Sequence, residues 1–129
     1  MDLQQIASEQ ISRIDEENNV ALYGWKDGAK HYWFKNRRQK NILRFDRPTK
    51  SKEHPTMKPV LLFNYQMECN TRSGESVLDL FAGSGTTIIA AEQNGRTAYC
   101  LEKDPKYVDV IIARWEEFTG QKAELINGE

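Results

Sequence analysis

Asp79, Gly83, Ser84, Gly85, Thr86 and Glu102 have the types and spacing of a nucleotide cradle. Two glycines separated by one residue let a ligand come close to the backbone, since neither carries a Cβ and both tolerate a positive φ. The hydroxyls of Ser84 and Thr86, together with the N–H groups of a helix start, can reach a ligand carboxylate. Thr86 is equally suited to capping that helix. Glu102 stands 23 residues beyond Asp79, close to the ~20-residue spacing at which a strand-end acid accepts hydrogen bonds from ribose hydroxyls. An adenosine-type ligand is the first inference.

Several cofactor classes use a glycine turn between strand and helix. A phosphate-binding loop needs a Lys after its last glycine, and here Gly85 is followed by Thr86 and Thr87. The dinucleotide fingerprint G-x-G-x-x-G is matched at Gly83 and Gly85 but has Ile88 at its third position. The remaining class binds S-adenosylmethionine, whose amino-acid tail carries no phosphate. Asp79 can address a ligand ammonium and would repel a pyrophosphate, so it tilts the reading towards S-adenosylmethionine, with NAD as the rival.

The elements that must hold these residues can be read from the pattern. An apolar run, Val77 to Phe81, predicts a strand; Ala82 to Gly85 is the turn; Thr86 to Asn94 predicts a helix closed by Gly95; a second apolar run ends at Glu102. A helix is expected over Val60 to Asn70, with Pro59 in its first turn, and another over Lys106 to Thr119, with Val108, Ile111, Ile112 and Trp115 on one face and Gly120 as its stop. Trp115 and Cys100 are expected in the core. Further forward, Met1 to Asn18 has loosely helical spacing. Val20 to Trp25, His31 to Phe34 and Asn41 to Phe45 read as short strands around a turn at Gly28. The fold class is α/β, a partial Rossmann-like arrangement with an incomplete sheet: two strands from the glycine-turn unit and two or three from the front. So short a sheet has bare edges, a liability that favours self-association unless another chain covers them.

At 129 residues a single domain is expected, with residues 1–19 as an N-terminal helix or linker and 20–129 as the cofactor-binding part, in which 20–53 is a basic strand-and-loop region and 54–119 holds the cofactor motifs. The chain is polar, 39% apolar and 29% charged, which limits the core. Cys69 and Cys100 match no metal spacing and make no disulfide framework. No apolar segment approaches the ~18 residues of a membrane span and no signal-peptide core is present, so a cytoplasmic protein is expected. Net charge is −1, yet Lys26 to Lys52 holds ten Lys/Arg against Asp27 and Asp46. That imbalance suits one restricted polyanion-binding surface rather than a generally basic protein.

The string Asp79-Leu80-Phe81-Ala82-Gly83-Ser84-Gly85-Thr86-Thr87 resembles the first conserved motif of the DNA amino-methyltransferases, which methylate the exocyclic amino group of adenine or cytosine. His54-Pro55-Thr56-Met57-Lys58-Pro59-Val60-Leu61-Leu62 is similar to the motif that precedes it in the permuted subgroup. The two strings start 25 residues apart, in that order. The resemblance runs on through Glu102 and Asp104-Pro105-Lys106-Tyr107 to Arg114, and back more loosely to about Val20. It implies a methyltransferase of phage or restriction-modification type with S-adenosylmethionine as cofactor and double-stranded DNA as partner. Thr56, Lys58 and Pro59 would then join Asp79, Phe81, Ala82, Gly83, Ser84, Gly85, Thr86 and Glu102 in the cofactor site, with Thr56 and Lys58 towards the amino-acid end. Arg37, Arg38, Arg44, Arg47 and Lys50, interleaved with aromatics, would contact the DNA backbone.

The chain departs from that family at one place. The family catalyses with an Asp/Asn/Ser-Pro-Pro-aromatic tetrapeptide, and Pro48, Pro55, Pro59 and Pro105 are each isolated. No residue is assigned a catalytic role. The expectation is therefore the cofactor-binding half of a methyltransferase, inactive alone, working with a complementing chain or as an oligomer. Its rival is a non-enzymatic module that binds cofactor or DNA.

Overall fold

A computed structural model describes residues 21–36, 38, 40, 42–45 and 57–126. Met1–His31 and Tyr32–Glu129 form separate compact units, and the layered part lies in the second. Its elements are α1 (Val60–Asn70), β1 (Ser76–Asp79), α2 (Thr86–Gln93), β2 (Thr97–Cys100) and α3 (Pro105–Thr119).

β1 and β2 pair in parallel, in register from Ser76 opposite Thr97 to Asp79 opposite Cys100. Parallel neighbours cannot be joined by a tight hairpin, and α2 supplies the crossover. The core lies between the strands and the helices: Met67, Ala90 and Ala91, with Val60, Phe63, Val77 and Ala98 packed around them. Small residues on α2 let α1 approach closely. The contact is fastened by Asn64, whose amide donates to Gln93 (2.8 Å) and whose carbonyl accepts from Asn94 (2.8 Å). Arg96 ties the end of α1 to the start of β2 by donating to the carbonyl and hydroxyl oxygens of Thr71 at 2.9 and 3.2 Å.

α3 begins as expected of a Pro at the first helical position. Asp104 caps it by accepting from the Lys106 N–H (2.9 Å), and Gly120, at φ 71°, closes it with a bond to the Glu116 carbonyl. Ile111 packs behind Gly85, and the Trp115 indole donates to Glu92 (3.2 Å). The four-residue apolar face expected here needs correction. Ile112 is 40% exposed, since consecutive helical residues point ~100° apart and the contact stripe follows Ile111 and Trp115. No α3 residue is fully buried: Trp115 is half-buried, as is Cys100, whereas Cys69 on α1 is completely enclosed.

The helix over Val60 to Asn70 is as read from the sequence, with Pro59 just outside it as the N-cap. The strands are shorter than expected. β1 ends at Asp79 because the Phe81 N–H turns to the Asp79 carboxylate (2.9 Å), and β2 ends at Cys100. The front strands are a correction. Within the described parts of Val20 to Trp25, His31 to Phe34 and Asn41 to Phe45 there is no strand, and the sheet among the described residues is β1–β2 alone. The aromatic side chains find other partners. Trp25 stacks on His31 with centroids 3.7 Å apart, Tyr32 stacks on Phe34, and Phe45 tilts against Tyr65 of α1. The Phe34 N–H donates to the Cys69 carbonyl (2.8 Å), and Lys35 forms an ion pair with Glu68. The helix expected over Met1 to Asn18 lies outside the described residues.

One face of the sheet is bare. Val77 and Ala98 turn towards the helices, whereas Leu78, Leu80, Tyr99 and Leu101 are between 52% and 68% exposed. Parallel sheets are ordinarily covered on both faces.

Candidate functional site

Asp79 stands at the C-terminal end of β1 with both carboxylate oxygens engaged. Oδ1 accepts from the Phe81 N–H at 2.9 Å, and Oδ2 accepts from the Thr87 hydroxyl at 2.5 Å. Thr87 is buried on the first turn of α2, so it aims the acid from below. The following turn is closed by the Gly85 N–H donating to the Ala82 carbonyl (2.8 Å). Gly83 and Gly85 both take left-handed φ values, 54° and 78°, but for different reasons. A Cβ on Gly83 would meet nothing nearer than the Phe81 carbonyl at 4.0 Å; on Gly85 it would come within 2.9 Å of the Ile111 side chain. Gly83 keeps a space clear, and Gly85 allows a helix to pack.

Glu102 reaches the same turn from the end of β2. Its carboxylate accepts from the Gly83 N–H at 2.7 Å and from the Asp104 N–H at 2.9 Å. The Asp104 N–H foremost, and the Gly83 N–H after it, hold this carboxyl below the usual glutamate range. Cys100 lies between the two acids in sequence. Burial, with a smaller contribution from the Asp79 charge, pushes its thiol up to about 11.

The two acids serve two depressions that meet at Phe81 and Gly83. One, about 420 Å³, is lined by Glu102 with Leu80, Leu101, Lys103 and Tyr107. The other, about 190 Å³, is lined by Asp79 and Lys58 with Ala82, Ser84, Thr86 and Thr87. The first offers apolar walls and a carboxylate, which suits a nucleoside. The second offers an anion and a cation together, the pair that a zwitterionic amino-acid tail needs. An elongated ligand lying across Gly83 and carrying no phosphate fits both.

The structure therefore brings together Lys58, Asp79, Phe81, Ala82, Gly83, Ser84, Thr86 and Glu102 around one turn. Gly85 sits behind it, against α3, and Pro59 caps α1 outside both depressions. Thr86 donates weakly to the Lys58 carbonyl (3.4 Å), tying the loop before α1 to the start of α2. The Ser84 hydroxyl and carbonyl both accept from Arg114. Thr56 lies outside the described residues, as do Arg37, Arg47 and Lys50 of the basic group; Arg38 and Arg44 are exposed. Sequence reasoning passed over Thr87 and Phe63, which also lines the smaller depression, and Tyr107 and Arg114. For Thr87 a signal existed: a second hydroxyl immediately after the turn, one helical step beyond Thr86.

Residues 4–114 match the DNA methylase family of N6/N4 methyltransferases. The type II methyltransferase M.BglI of Bacillus subtilis is 38% identical over 69 residues, covering 54% of this chain and 20% of that protein. The type II methyltransferase M2.DpnII of Streptococcus pneumoniae is 34% identical over 64 residues, 50% of this chain and 24% of that protein. Among solved structures, the complex of M1.HpyAVI with S-adenosylmethionine superposes with a TM-score of 0.60 at 29% identity. It covers 70% of this chain and 46% of that one. The chain thus spans about a quarter or less of those curated relatives and under half of the solved one, whose Rossmann-like fold it shares in part.

Proposed function

This chain belongs to the DNA methylase family, and from that membership we propose that it holds S-adenosylmethionine for methylation of the exocyclic amino group of adenine or cytosine in DNA. The observation that carries the reading is the placing of Asp79 with Lys58 on one side of Gly83 and Glu102 on the other. Asp79 addresses the ammonium of the amino-acid tail and Lys58 its carboxylate. Glu102, with lone pairs left beyond its two backbone donors, accepts from the ribose hydroxyls. Gly83 leaves the crossing point clear, and Thr86 and Ala82 bound the tail. When bound, the cofactor supplies an electrophilic methyl group. The protein's part is to fix where that methyl points, a contribution of positioning rather than of acid–base chemistry. Phosphates would face two acids, which disfavours NAD. Calorimetric titration with S-adenosylhomocysteine and with NAD tests this: uptake of the first alone supports the reading, and uptake of NAD alone refutes it.

The target amine also needs acceptors beside its nitrogen and an aromatic face for the extruded base. These 129 residues hold no Pro-Pro-aromatic tetrapeptide, and we infer that polypeptide outside them, such as a complementing chain, supplies those groups and that these residues alone transfer no methyl group. A homo-oligomer is the other way to cover the bare sheet face. Arg38 and Arg44, with Arg37, Arg47 and Lys50, are proposed to contact the phosphates of duplex DNA, positioning it without reading bases. Such binding would weaken steeply between 50 and 200 mM salt. Mixing the chain with a polypeptide that carries the tetrapeptide and assaying methyl transfer separates an enzyme half from a non-catalytic binding module.

A further inference from the structure

We propose that Arg114 is a positioning residue for the cradle: reaching from α3, its guanidinium grips Ser84 from behind and keeps the Gly83–Gly85 turn in the shape that receives the ligand. The proposal rests on the reading of that turn as the cofactor site.

Arg114 Nη1 donates to both the Ser84 carbonyl and the Ser84 hydroxyl, the latter at 3.1 Å, across 30 residues of sequence. Ser84 is only 6% exposed and sits between two glycines in left-handed conformations. Such a segment has neither a helical nor a sheet ladder to hold it, and glycine on either side makes it the most freely rotating stretch of the site. Its own closure is one bond, Gly85 N–H to Ala82 carbonyl. From the front, Glu102 takes the Gly83 N–H. From the rear, Arg114 takes Ser84, and Ile111, one turn earlier on the same face of α3, fills the space beside Gly85. The turn is thus clamped between an acid that faces the ligand and a base that does not.

Arginine suits this task. Its guanidinium stays charged at every working pH, and its plane fixes the directions of the two N–H bonds on Nη1, the one nitrogen that serves both acceptors, whereas a lysine ammonium rotates freely on its stem. A buried carbonyl that loses a charged donor is left without compensation, so the turn should rearrange when the guanidinium is removed. Ser84 consequently contributes to binding through its backbone and through the anchoring of its hydroxyl.

The test compares the full 129-residue chain with Arg114→Ala, Arg114→Lys and Ser84→Ala. Amide hydrogen exchange without ligand is measured alongside calorimetric affinity for S-adenosylhomocysteine. In Arg114→Ala, exchange at Ser84, Gly85 and Thr86 should rise about tenfold while Ala90 and Ala91 keep their protection, and affinity should fall by about tenfold. Millimolar guanidinium ion should restore both. Arg114→Lys should fall between, and Ser84→Ala should lose less, because the carbonyl bond remains. Unchanged turn amides and unchanged affinity would overturn the proposal. So would a loss of protection spread equally over α2 and β1 that guanidinium does not reverse, since that marks a residue serving the fold alone. If Arg114→Ala does not fold, the same readouts on Arg114→Lys decide. Faster turn exchange in a protein whose wild type takes up no S-adenosylhomocysteine would uphold the clamp and refute the cofactor reading.

Discussion

The Thr87 hydroxyl donates to Asp79 Oδ2 at 2.5 Å, so the acid that ends β1 enters the cradle with its rotamer already chosen by the first turn of α2. Thr87→Val keeps the shape and removes the donor. A hydrogen bond to a charged group is worth about 1.5–3 kcal/mol, and the Phe81 N–H remains to hold the other oxygen. Affinity for S-adenosylhomocysteine should fall about tenfold, with Thr87→Ser restoring most of it. Calorimetry on the three proteins measures this directly.

The two turn glycines should respond differently to a single methyl group. Gly85→Ala combines a left-handed φ of 78° with a 2.9 Å approach to Ile111. A left-handed alanine costs about 1–2 kcal/mol and overpacking a further ~1–3 kcal/mol, so urea denaturation should show a loss of roughly 2–5 kcal/mol. Gly83→Ala has no such neighbour and should lose only the first part, about 1–2 kcal/mol. Its larger effect should be on ligand affinity, because the methyl group would occupy the crossing point of the two depressions.

That contrast shows what could be read from sequence and what could not. The glycine turn, the helices after it and the acid beyond β2 were legible because each depends on local chemistry. Gly85 and Gly120 need φ values that other residues avoid, and Pro105 fits a helix start. Among the described residues the strands expected around Tyr23, Tyr32 and Ile42 do not form, since an aromatic run records the wish for a partner and not whether a neighbouring strand exists. In this chain the rings turned to one another and to α1. Ile112 failed for a related reason: hydrophobicity marks a broad stripe, and only packing against α2 chooses its centre. Arg114 was invisible because its partner lies 30 residues away. The Thr87 hydroxyl stands in the sequence right after the turn, but its partner Asp79 emerges only when β1 is placed beside α2.

The thiols should make the protein sensitive to alkali. Burial raises Cys69, and it raises Cys100 from 9.0 to about 11. A thiol whose folded value is raised stays protonated while the unfolded chain releases its proton. Stability is therefore whole below pH 9 and declines as the pH rises from about 9 to 11. Melting temperature should fall across that interval, and less in Cys100→Ala. A disulfide exchange reagent at pH 8 should find no rapidly reacting thiol among these two until the chain is unfolded.

The bare sheet face predicts association. Leu78 on β1 and Leu101, just past the end of β2, are 68% and 60% exposed. Sedimentation velocity on the isolated chain should show concentration-dependent assembly, and Leu78→Glu with Leu101→Glu should shift it towards monomer. A monomeric wild type at high concentration would remove the argument for a covering partner.

One ligand is proposed to lie across Gly83 with its amino-acid tail at Asp79 and its nucleoside at Glu102. Equilibrium dialysis of S-adenosylhomocysteine and of adenosine against wild type and Asp79→Asn tests it most directly. Asp79→Asn should weaken S-adenosylhomocysteine about tenfold and leave adenosine unchanged. Equal weakening of both ligands, or no uptake of either by the wild type, would contradict it.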